Sequence, residues 1–126
     1  VTEMAKLRAT TWGGLNTILE TKPNNRVVIG NNTTAEYVPS EMPNKKDILV
    51  RLHGHAIVRL EPDDGMLDGS GPVNFTMAGY GTATTRDRIN QFIWNDFSGR
   101  NQVFQRDFVQ FLNGEPIDTY TWYRLL

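Results

Sequence analysis

The chain is predicted to be an α+β domain, in which one helix, an antiparallel meander of about four strands, a second helix and a C-terminal hairpin follow in order. Three observations carry this. The segment "DILVRLHGHAIVRLEP" alternates with period two, as a half-buried strand pair does. The links around His53 and Asp63 are too short for parallel crossovers, so neighbouring strands run antiparallel. Ile89, Phe92, Ile93 and Phe97 recur at helical spacing on one face. A length of 126 residues suits one hydrophobic core, so 1–126 is read as a single domain with a flexible lead over 1–9.

Each element has its own signal. Trp12, Leu15, Ile18 and Leu19 outline a first helix over about 11–20, capped by Thr10 or Thr11 and ended by "KPNN". "RVVIGNNTTAEYV" sets β-branched residues on both sides of an Asn31-Asn32 bend. A turn at His53-Gly54 folds the next segment into a hairpin, with Val50 opposite Ile57 and Leu49 opposite Val58. The rival reading is one long strand bulged at Gly54. Residues 62–72, "PDDGMLDGSGP", are turn chemistry, and "VNFTMAGY" is the following strand with Val73, Phe75 and Met77 on one face. The second helix is expected over about 85–97 with Gly99 as its stop. Turns at Arg106-Asp107 and Asn113-Gly114 shape the aromatic-rich tail.

Composition narrows function. Thirteen basic and fourteen acidic residues leave a net charge of −1, which gives no global pull toward nucleic acid or an anionic membrane. Cysteine is absent, which removes thiolate nucleophiles and cysteine-ligated zinc. No apolar run reaches the roughly 18 residues of a membrane span. The first fifteen residues lack a secretory pattern. A soluble protein of the cell interior is the expectation.

The candidate sites are few. His53 and His55 would share one strand face, but they are the only histidines and a catalytic metal needs about three protein ligands. A turn or surface role is preferred to a metal-dependent hydrolase, and no cofactor is expected. "PDDG" with Asp68 lacks the ligand spacing of a calcium loop. In "GYGTATTRDRIN", Thr84, Thr85, Arg86 and Arg88 stand where a helix N-terminus could hold a phosphate. Thr84 and Asp87 also fit the Ser/Thr-x-x-Asp/Glu capping pattern, which consumes those donors, and Asp87 would repel an anion. Arg51, Arg59 and Tyr80 would extend a nucleic-acid surface only if they shared a face with Arg86 and Arg88. The two-residue hairpin puts Arg51 and Arg59 on opposite faces.

"NNTTAEYV", "ILVRLHGHAIVRLEPD", "AGYGTATTRDRIN" and "VFQRDFVQFLNGEPI" together resemble a small domain family of actinobacteriophage proteins. The likeness covers roughly residues 10–115, and its most specific piece is "TTRDRIN". Two departures are a longer 62–72 turn and Phe108, where the family pattern has glycine after Arg-Asp. The resemblance implies a phage gene product acting in the host cytoplasm, and it carries no catalytic residue or cofactor. The leading expectation is a non-enzymatic protein that binds a host or phage protein or its own copies, with Trp122 and Tyr123 as an interaction surface. Nucleic-acid or phosphate binding is the alternative.

Overall fold

A computed structural model describes residues 6–65, 67, 69–94 and 101–125. The elements are α1 (Trp12–Leu19), β1 (Arg26–Gly30), β2 (Thr33–Pro39), β3 (Lys46–Leu52), β4 (His55–Pro62), β5 (Ser70–Phe75), α2 (Ala83–Ile93), β6 (Val103–Arg106), β7 (Val109–Leu112), β8 (Glu115–Ile117) and β9 (Tyr123–Leu125). They build a six-stranded sheet in the order β1-β2-β3-β4-β5-β9 and a three-stranded sheet β6-β7-β8, with every pair antiparallel. The α+β class is as expected. The meander has five strands, and β8 and β9 are additions, with β9 closing the large sheet beside β5.

Both helices lie on one face of the large sheet. Leu15 and Leu19 from α1 and Ile89, Phe92 and Ile93 from α2 join Ala35, Ile48, Val50, Val58, Leu60 and Phe75 in one buried cluster. Val103 of the small sheet is buried in the same cluster, so the two sheets share a core. Leu7 is buried there too, and the Arg8 N–H donates to the Ile29 carbonyl at 2.9 Å. The free lead expected over 1–9 is therefore docked from Leu7 onward. That contact covers part of the open edge of β1, where unpaired backbone would otherwise invite another strand.

The β3–β4 hairpin turns at His53-Gly54, with φ of 51° and 82°, the left-handed pair that a tight hairpin needs. Its register departs from the expectation: Val50 faces Val58 and Leu49 faces Arg59, while Arg51 faces Ala56. One extra residue, Ile57, is accommodated as a bulge, and Ile57 and Val58 are both buried. Two consecutive apolar side chains both gain by facing the core, and the bulge lets them do so. It also shifts the parity beyond it, so Arg59 moves to the outer face with Arg51.

That outer face is laced with charge. Arg51 pairs with Glu36 at 2.6 Å, Arg59 with Asp47 at 2.7 Å and Arg124 with Glu61 at 2.9 Å. Hydrogen bonds from Arg124 are the main cause that holds the Glu61 carboxyl below its ordinary range, with Asn74 adding to them against the cost of burial. Leu49 lies buried among these long side chains, whose stems shield it.

α2 begins two residues before its expected start and ends at Ile93. Its expected stretch over 95–97 and the Gly99 stop lie outside the described residues. The N-cap is Thr82, whose hydroxyl accepts from the Thr85 N–H at 3.2 Å and pairs with the Thr85 hydroxyl at 2.9 Å. The Thr84–Asp87 capping pattern does not form, because the cap lies one threonine earlier. Asp87 sits in the second turn and accepts from Arg88 at 2.7 Å and Gln91 at 3.0 Å. The β6–β7 turn is Asp107-Phe108, with φ of 52° and 66°, one residue beyond Arg106-Asp107. The Asn113-Gly114 turn forms where expected, with φ of 52° and 90°. No helix among the described residues is long and apolar enough to cross a membrane.

Candidate functional site

The hairpin turn "HGH" and the stretch "GYGTATT" come together in space. His53, His55, Tyr80, Thr82, Thr84 and Thr85 line a cleft of about 350 Å³ over a floor of Leu52, Ile57 and Met77. Strand parity explains the first half of this wall. His55 faces Leu52 across the turn and so points to the helix side of the sheet, where Leu52 and Ile57 are buried. The start of α2 supplies the second half.

Glycines shape the rim. Gly79 has φ of 84°, and a Cβ placed there would stand 2.7 Å from Tyr120 Cε1. Only the bare backbone lets the Tyr120 ring lie against the "AGYG" turn. The Gly79 N–H donates to the Thr119 carbonyl at 2.7 Å, which ties the C-terminal segment to this turn. A Cβ at Gly81 would likewise crowd Gln110 and Thr119. The Asp118 carboxylate then fixes the segment, accepting from the Thr121 hydroxyl and from the Thr121 and Tyr120 N–H groups. The Thr121 hydroxyl bond is the first cause that holds this carboxyl below its ordinary range. Two exposed rings result, Tyr80 at 49% and Tyr120 at 78%, with the Tyr80 ring 4.8 Å from that of His55. The cleft thus has an apolar floor under a polar rim that carries the Tyr80 ring.

The four arginines read as a prospective anion surface are divided by the sheet. Arg51 and Arg59 lie on its outer face in ion pairs. Arg88 lies on the helix side, buried, donating to Thr33 Oγ1 at 3.0 Å and to Asp87 at 2.7 Å. Arg86 joins α2 to the small sheet, with Nη1 near Gly81 O, Gln105 Oε1 and Gln110 Oε1 at 2.9–3.1 Å. The threonines expected at the site separate too: Thr84 and Thr85 both line the cleft, but Thr85 is buried and bonded to the cap. Tyr123 is half-buried against Phe75, with ring centroids 5.5 Å apart, and its hydroxyl accepts from the Asp118 N–H. Trp122 is 45% exposed. Among the described residues no group of three or more His, Asp or Glu gathers to hold a metal around His53 and His55.

The family model of the Kyanoviridae Gp96 protein matches residues 14–124. The chain belongs to that family. No curated protein and no solved structure matches. The matched span of the Gp96 family contains all of both walls of the cleft, both tight aromatic-bearing turns and the whole small sheet. It makes this a phage protein family; the actinobacterial origin that the sequence resemblance implied is not what the match names.

Sequence reasoning missed three contributors. Thr82 was hidden among three threonines, any of which could cap the helix. Tyr120 and Gln110 support the turn beside the site through contacts with Gly79 and Gly81 that are distant in sequence, which local patterns do not register. The available signal was the paired glycines of "GYG", since glycine outside an obvious hairpin often marks close backbone approach.

Proposed function

We propose that the protein is a non-enzymatic binding protein of the infected host cytoplasm, which captures a host or phage protein by taking one of its apolar or aromatic side chains into this cleft. The observation that carries the reading is the cleft itself, floored by Leu52, Ile57 and Met77 and lined by the exposed ring of Tyr80. Aromatic anchors at a desolvated pocket supply most of the energy in many protein interfaces. Support over a catalytic reading comes from the lining: it holds imidazoles, hydroxyls and a phenol, and no described Asp or Glu that could orient an imidazole as a base. Nucleic-acid binding through Thr84, Thr85, Arg86 and Arg88 is the weaker reading, because both guanidiniums are engaged within the fold. The family name supports a phage origin.

A photo-cross-linking residue in place of Tyr80, expressed in host cells during infection, tests this. An adduct of discrete mass is expected at position 80 and not at position 51 on the outer face, and a His55→Trp change that fills the cleft should suppress it. Failure to form an adduct at 80, or equal adducts at both positions, would overturn the proposal.

A further inference from the structure

The small sheet has a second, outward face that the core does not use. Val103, Leu112 and Ile117 pack inward, whereas Phe104 and Phe111, paired across β6 and β7, stack outward with centroids 5.3 Å apart. Val109 on the same face is 43% exposed, and Phe108 at the tip of the hairpin is 94% exposed. Phe108 is also held at φ of 66°, where a bulky side chain is strained and glycine would be free. The tight turn imposes that φ, and a strained, exposed ring at such a position is where a contact would compensate it.

We infer that this face is the contact of a two-fold homodimer. The occupant is a second copy because the hairpin is self-complementary in charge. Arg106 and Asp107 stand side by side at its tip, and among the described residues neither has an ion-pair partner, Arg106 lying instead over the Phe111 ring at 5.3 Å. A two-fold axis between two stacked hairpins sets Arg106 of one copy against Asp107 of the other, twice. Phe108 is almost wholly exposed, Val109 partly so, and Phe104 and Phe111 are half-buried, so two such faces cover at most on the order of 800 Å² in total, the size of a weak, concentration-dependent contact. Pairing through the open edge of β6 is not the geometry: Asn90 already occupies the backbone N–H and C=O of Val103 at 2.7 and 2.9 Å.

Sedimentation equilibrium of the full chain, from micromolar to millimolar concentration, is the test. The wild type should show a mass rising from monomer toward dimer. Phe108→Gly should remain monomeric throughout while melting at a higher temperature than the wild type at dilutions where both are monomers. Arg106→Asp and Asp107→Arg should each weaken association at least tenfold, and the double change should restore it. A wild type that stays monomeric at every concentration, or a Phe108→Gly variant that associates as well as the wild type, would overturn the inference. Its failure leaves the cleft reading untouched, since no residue is shared between the two.

Discussion

Replacing Arg88 separates a structural role from a ligand role. Its guanidinium is buried on the helix side of the sheet, bonded to Thr33 Oγ1 and to Asp87. Removing one partner of a buried ion pair generally costs about 3–5 kcal/mol. Here the abandoned Asp87 side chain is 27% exposed and keeps its bond from Gln91, so water and the amide recover part of that loss. Thr33 likewise keeps its bond to the Asn31 carbonyl. Arg88→Met, which preserves the aliphatic stem, should therefore cost about 2 kcal/mol. Arg88→Ala gives up two further buried methylenes, at about 0.8 kcal/mol each, and should cost about 3–4 kcal/mol. In urea, with a slope near 2 kcal/mol per molar, the Met variant's midpoint should fall by about 1 M with the slope unchanged. A fall below about 0.25 M, the scale of an ordinary surface change, would refute the structural assignment. Accompanying loss of nucleic-acid or phosphate binding in that variant would revive the anion reading.

Further outcomes follow from the same geometry. Gly79→Ala places a side chain at φ of 84°, and should destabilise by about 1–2 kcal/mol in thermal melts while displacing the Tyr120 ring signals in NMR. Unchanged Tyr120 shifts would show that the ring does not rest on that glycine. Glu61 titrates below its ordinary range in the folded state, so its contribution is present at neutral pH and is lost as pH falls through the carboxylate range toward the folded value. Glu61→Gln should flatten that part of the acid limb of stability, and an unaltered limb would count against the Arg124 pair. Tyr37 behaves oppositely: burial first, then Glu20, raises its phenol, so its contribution holds below the unfolded value and fades as pH climbs through the raised one. Tyr37→Phe should reduce alkaline destabilisation, as followed by circular dichroism above the ordinary tyrosine range.

Most of the secondary structure could be read from the chain because alternation and helical spacing are local. The β3–β4 hairpin shows where that reading stops. Its turn was legible from His53-Gly54, but the register depended on whether Ile57 and Val58 both reached the core, a tertiary demand that strict alternation ignores. That one-residue bulge decides the faces of Arg51 and Arg59. Short β8 and β9 carry only three residues each, too few for a period to show, and β9 exists because β5 offered it an edge. The candidate site was half visible: His53, His55, Tyr80, Thr84 and Thr85 were singled out separately. What brings them together is the packing of α2 against the β3–β4 hairpin, and the charge of Arg86 and Arg88, which pointed to an anion, is spent on internal bonds.

The central claim is that the cleft beneath Tyr80 grips a partner. Once that partner is identified by cross-linking, its affinity for the wild type and for Tyr80→Ala, measured by titration calorimetry with folding verified by melting temperature, tests the claim most directly. An anchor ring at a recognition pocket is worth about 2 kcal/mol or more, so Tyr80→Ala should weaken binding at least thirtyfold at unchanged stability. An affinity within twofold of wild type would contradict the account.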